Sequence, residues 1–277
     1  MGDRIFSFIV WTSAALVGSI FLWILGDIVL KGFSHFSLSF LLEHPEDAGR
    51  SGGIFPIIIS TALILLVAIG VSVPFGLGVA IWLAEFSKQS GKAVSSTRLT
   101  LDVLAGVPSI VYGLFGNAFF SIFLGLGFSI LSGGLTLACM ILPVFIRTAE
   151  TGLSSVNHSW RAGAAALGMN KTAAIWHILL PSAAPAIVAG LVLGIGRATA
   201  ETAALIFTSG YVDRMPGSLM DSGRALAVHI YDLSMNVTGG DSAAYASALT
   251  LIAVIIAFNI MAQTMTDQWL GKRVQRA

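Results

Sequence analysis

The sequence predicts an all-α integral membrane protein with six transmembrane helices, and three observations carry that prediction. Of the 277 residues, 56% are hydrophobic and only 10% charged, a balance that excludes an ordinary soluble domain. Six mostly apolar stretches reach the length of about 20 residues that a helix needs to cross a bilayer with its backbone polar groups paired internally. Lys and Arg residues near the ends of those stretches fall unequally on the two sides, as they do in oriented membrane proteins.

The first stretch runs from Ile5 to Leu30, with Asp27 near its end. It exceeds the roughly 7–15 apolar residues of a signal-peptide core and reads as an uncleaved span. The polar, turn-rich EHPEDAGRSGG follows, and residues 1–54 form a first helix with its loop. The second span covers Phe55 to about Ala84. The third, about Leu99 to Leu126, and the fourth, about Phe128 to Ile146, are joined by GLGFS and make an antiparallel hairpin. The fifth runs from about Ala183 to Phe207 and the sixth from about Ala243 to Met265, separated by a polar segment from Ser209 to Asp241. Residues 55–270 thus hold a five-helix core, and 271–277 a basic tail.

With a cytoplasmic N-terminus, that side receives Arg4, Lys88, Lys92, Arg98, Arg147, Arg161, Lys171, Lys272, Arg273 and Arg276. The other side receives Lys31, Arg50, Arg214 and Arg224. The bias predicts both termini and the 148–176 segment on the cytoplasmic side.

Several function classes are disfavoured. A net charge of +1 with scattered basic residues leaves no nucleic-acid footprint. No GxxxxGK[ST] phosphate loop is present, so ATP and Mg would have to be bound by a partner. HExxH, GxSxG and CxxC are missing, Cys139 is the single cysteine, and the five histidines lack ligand spacing. The chain reads as non-enzymatic, without a metal or cofactor of its own.

The charged residues inside spans are the functional candidates. Arg197 and Glu201 stand four apart, which on a continuous helix places them on one face and predicts an ion pair. Ionisable groups within spans usually face an interior path. A guanidinium binds phosphate-like oxyanions in a planar, two-point manner, so the pair could exchange partners as an anion passes. Arg147, at the end of the fourth span with Glu150 behind it, is either an interfacial anchor or part of the same path. Asp102 follows Arg98 by four residues, predicting an i,i+4 pair. Finally, the Ala- and Gly-rich Ser159–Thr172 segment reads as one helix-like element, either a groove-docking helix or a surface linker.

The run RAGAAALGMNKTAAIWHILLPSAAPAIVAG, 161–190, resembles the signature loop of ABC-importer permeases: Gly168 matches its central glycine and Pro181 its terminal proline. Ala162 stands where that pattern has Glu, and Gly163 replaces its first alanine. VLAGVPSIVYGLFG (103–116), LPVFIRTAET (142–151) and RATAETAALIFT (197–208) look like the phosphate-specific permeases, of the PstA rather than the PstC type. The resemblance implies the type I importer permease fold in a bacterial inner membrane. It further implies a PstC-type second permease, two PstB-type ATPase subunits, a periplasmic PstS-type phosphate-binding protein, and inorganic phosphate as substrate. By the same resemblance Arg161, Ala162, Gly163, Ala164, Leu167, Gly168 and Lys171 form a coupling helix against the ATPase, while Arg197, Glu201 and Arg147 line the phosphate path. The alternatives are a permease for another oxyanion or solute, or a stand-alone channel or secondary transporter.

Overall fold

The computed structural model describes residues 2–87 and 91–274. Lys88 and Arg276 of the charge bias, and residues 275–277 of the basic tail, lie outside the described residues.

Helices dominate the chain. They are α1 (Gly2–Phe33), α2 (Leu38–Leu42), α3 (Phe55–Ile81), α4 (Lys92–Ala105), α5 (Ser109–Gly116), α6 (Ile130–Ser155), α7 (His158–Ala166), α8 (Lys171–Ala174), α9 (Leu180–Thr199), α10 (Ala203–Ile206), α11 (Leu226–Met235) and α12 (Asp241–Val274). Single π-helical turns extend α3 through Trp82–Phe86 and α5 through Asn117–Phe123, and Ile175–Leu179 joins α8 to α9. A two-stranded antiparallel hairpin, β1 (Pro45–Glu46) with β2 (Ser51–Gly52), lies between α2 and α3. Among the described residues five helical stretches are long and apolar enough to cross a membrane, and the bent pair of α4 with α5 is a sixth candidate.

The centre is α6, packed between α3 and α9. Every fourth residue of α3 from Ser60 through Ile64, Ala68, Ser72 and Gly76 to Ala80 is buried, and most are small. Small residues let the backbones of α3 and α6 approach, which matters in lipid, where close packing rather than expulsion of water draws helices together. At Gly76 an added Cβ would lie 2.5 Å from the Phe145 ring. Ile64, Leu137, Ile141, Phe145 and Ala198 fill the space between the three helices. A second cluster, including Leu83, Leu101, Leu153 and Leu179, fills the end of the bundle nearest α7.

The third and fifth spans differ from their sequence reading. Residues 99–126 do not form one straight helix: α4 and the α5 stretch meet at 101°. The cause is Pro108, which has no N–H to return to the carbonyl four residues back. That carbonyl, of Leu104, accepts instead from the Val107 N–H (3.1 Å) and the Tyr112 hydroxyl (2.9 Å). The fifth span ends at Thr199, not Phe207, and resumes as the short α10. α10 packs so closely on α5 that a Cβ on Gly113 would stand 2.8 Å from the Cα of Ala204. The fourth span, in turn, runs to Ser155 rather than Ile146.

α1 stands apart, its apolar faces exposed, with Phe6, Trp11 and Trp23 outward. Its final turns join α12 through Asp27, which accepts from Lys31 Nζ at 2.9 Å and from the Tyr245 hydroxyl at 3.1 Å.

The Ser209–Asp241 segment is not simply a polar loop. It carries α11, whose Leu226, Val228, His229 and Leu233 are buried, the last two against Gly49 of the hairpin turn. His229 Nδ1 faces Arg224 Nη1 at 3.3 Å. Because guanidinium only donates, Nδ1 accepts and the proton sits on Nε2, which has no partner among the described residues. Burial and the adjacent Arg224 charge hold the imidazole pKa down, from 6.5 to about 3, outweighing Asp232. Between those two values the unfolded chain takes up a proton that the folded one refuses. This contribution to stability is therefore complete above about pH 6.5 and falls with acidification by up to about 1.4 kcal/mol per pH unit. Thermal denaturation of the detergent-solubilised protein at pH 7 and pH 5 should show that loss, with a shallower dependence in His229→Gln.

Candidate functional site

Two regions carry the candidate residues: the 156–171 loop, and the charged groups along α4, α6 and α9.

The loop is built by caps. Asn157 Oδ1 accepts from Ser159 N at 3.0 Å and opens α7, and Asn170 Oδ1 accepts from Ala173 N at 2.7 Å and opens α8. Between them Gly168 adopts φ +73°, and the N–H groups of Gly168 and Met169 bond back to the carbonyls of Ala165 and Ala164, both at 3.0 Å. This is a left-handed helix closure, and no atom crowds the Gly168 position, so the backbone angle alone selects glycine there. The expected single element from Ser159 to Thr172 is therefore two helices separated by a turn. Ala162, Gly163 and Gly168 are exposed, Leu167 is 81% exposed, and Ala164 packs inward.

Arg161 and Lys171 turn back toward the end of α3. Arg161 Nη2 and Nε donate to Glu85 Oε1 at 2.6 and 3.0 Å, and Nη1 and Nη2 donate to the carbonyls of Val156 (2.6 Å) and Leu153 (2.8 Å). Lys171 donates to the Glu85 carbonyl and lies over the Phe86 ring. One guanidinium thus ties α7 to the C-terminal carbonyls of α6 and to the buried carboxylate at the end of α3. A cavity of about 270 Å³ lies among Glu85, Arg161, Met169 and Lys171. These bonds connect α7 to both long helices.

The second region is a chain of four charges between α4 and α6. Arg147 Nε and Nη2 donate to Asp102 Oδ1 and Oδ2 at 3.0 and 3.3 Å, and its Nη1 donates to Glu150 Oε2 at 3.1 Å. Glu150 is buried and also accepts from Arg98, at 2.6 Å from Nη2 and 2.7 Å from Nε. The i,i+4 pairing of Arg98 with Asp102 is therefore not formed: both reach across to α6. A cross-helix partner better compensates the cost of holding Glu150 away from water.

Arg197 and Glu201 do not form the expected ion pair either. The helix that would have put them on one face ends between them. Arg197 lies in the last turn of α9, where the free carbonyls favour a cation. Glu201 lies beyond it, and its Oε1 accepts from the Ala204 N–H at 3.2 Å, capping α10. Arg197 is exposed and has no hydrogen bond or ion pair among the described residues, although its charge reaches the Tyr112 hydroxyl. Tyr112 helps line an apolar cavity of about 490 Å³ whose wall also includes Leu101 and Ile146, the neighbours in sequence of Asp102 and Arg147.

Residues 72–274 match the family of binding-protein-dependent transport system inner membrane components. The chain belongs to that family. This permease is 29% identical to the probable ABC transporter permease protein YqgI of Bacillus subtilis, over 95% of this chain and 92% of that one. It is 33% identical to the phosphate transport system permease protein PstA 1 of Mycobacterium tuberculosis, over 87% and 80% of the two chains. Its fold is shared with a bacterial ABC transporter involved in the import of the acidic polysaccharide alginate, at a TM-score of 0.64 and 13% identity over 93% of this chain and 96% of that one. The permease is thus a multi-pass component of the bacterial inner membrane.

Sequence reasoning missed Glu85, which holds the loop of the permease, and the partners of Glu150. Their signal was faint: each is one acidic residue near the end of an apolar run, and Arg161 and Arg98 stand 76 and 52 positions from Glu85 and Glu150.

Proposed function

We propose that this chain is one permease half of an ATP-driven importer of inorganic phosphate. In this reading a PstC-type permease completes the membrane unit, two PstB-type ATPase subunits hold ATP and Mg on the cytoplasmic side, and a periplasmic PstS-type protein delivers phosphate. The chain itself catalyses nothing. Both termini and the 156–171 loop face the cytoplasm, in keeping with the Lys and Arg bias.

The observation that carries the reading is Arg197, an exposed guanidinium with no counter-ion among the described residues, in the last turn of an apolar span. Such a group is costly in lipid and is expected to face a path or a partner. Its planar donor fork suits a tetrahedral oxyanion. The phosphate assignment draws further support from relatives named as phosphate transport permeases. In the loop, exposed Ala162, Gly163 and Leu167 offer a low-relief surface to an ATPase groove, while Arg161 and Lys171 hold that surface onto α3 and α6.

ATP-dependent uptake of labelled phosphate by proteoliposomes holding the complete complex tests the proposal. Unlabelled phosphate should compete, and sulfate and molybdate should not. Uptake that follows sulfate or molybdate instead would assign the permease to another oxyanion.

A further inference from the structure

Arg147 divides its guanidinium between two carboxylates of different character. One edge meets Glu150, whose side chain is 4% exposed and is also bound by Arg98. The other edge meets Asp102, with two nitrogens opposite two oxygens at 3.0 and 3.3 Å. That second pair is open, its side chains being 37% and 53% exposed. The two-point geometry is the one that guanidinium offers to a phosphate. An exposed ion pair of this kind is held only weakly, so an arriving anion can take the place of the carboxylate. The Glu150 side remains fixed, because freeing it would strand charge in a dry site.

We propose that Asp102 is a displaceable counter-ion: it occupies the anion-facing edge of Arg147 until a tetrahedral oxyanion takes its place. The partner exchange that the sequence suggested for Arg197 and Glu201 finds its geometry at this pair instead. The charges support it. Arg98, Arg147, Asp102 and Glu150 sum to zero, and when Asp102 swings away the cluster carries one net positive charge beside the free edge of Arg147. Asp102 lies on α4 and Arg147 on α6, so the exchange also removes one of the two ionic ties between these helices, leaving that of Arg98 with Glu150. Asp102 acts here as a positioning residue, through Arg147. The inference rests on the phosphate-import reading.

Equilibrium binding of labelled inorganic phosphate to the purified complex, without binding protein, tests it. Asp102→Asn, which keeps the shape and removes the competing charge, should bind phosphate about two- to fivefold more tightly, the range set by an exposed pair. Asp102→Glu should return toward wild type, and Arg147→Gln should lose the site. A gain in affinity is not what structural damage produces. Unchanged or weaker binding in Asp102→Asn, with wild-type melting and subunit recovery, overturns the proposal, and Asp102→Ser provides the same test if the Asn variant fails to assemble. A wild-type complex that neither binds nor imports phosphate would instead overturn the phosphate reading itself.

Discussion

Replacing Glu150 with Ala is expected to destabilise the protein by about 1–3 kcal/mol, the usual consequence of losing hydrogen bonds between charged groups at a part-buried site. Glu150 accepts from both Arg98 and Arg147, and its side chain is 4% exposed. Truncation leaves two guanidinium groups with reduced compensation at the junction of α4 and α6. Glu150→Gln retains the volume and a carbonyl acceptor, so it should fall between the two. Thermal denaturation in detergent, together with recovery of the intact complex from membranes, reads the effect. A Glu150→Ala protein that melts with the wild type would show that the four-charge chain does not hold α4 to α6.

Arg197→Ala should behave in the opposite way. The side chain is exposed and makes no bond among the described residues, so its removal should change stability by no more than about 0.5 kcal/mol. Phosphate uptake, however, should be abolished. A group that is costly to hold in a span and has no structural bond here must be retained for what it meets outside this chain. Arg197→Lys keeps the charge without the planar fork and should restore only a part of the uptake. Uptake measured alongside subunit recovery separates the two effects. Normal phosphate transport by Arg197→Ala would remove this residue from the path.

The contrast between these residues shows what was legible in the sequence. Span placement was readable because apolar length is a local property: the expected start of the second span at Phe55 is the first residue of α3. The turn GLGFS was readable as well, with Gly125 and Gly127 at φ +70° and +63° before the Ser129 cap. The break after Thr199 was not readable, because no Pro or Gly marks it. There the chain leaves the helix where α10 docks on Gly113, a tertiary contact. Helical spacing therefore paired Arg197 with Glu201 and Arg98 with Asp102, while the folded chain satisfies Asp102 and Arg98 from α6. At Gly168 the left-handed angle is a local property of the backbone, and the resemblance marked the residue without giving its conformation. Arg161 turns inward to Glu85, 76 positions away, a contact that no local pattern marks.

The phosphate path is the central claim, and a structure of the assembled complex with phosphate trapped during turnover tests it most directly. The account predicts the anion within hydrogen-bonding distance of the Arg197 guanidinium, in a space closed by the second permease, with α7 seated on an ATPase subunit. A complex in which Arg197 contacts only lipid or a carboxylate of the neighbouring subunit, and phosphate crosses elsewhere, would contradict it.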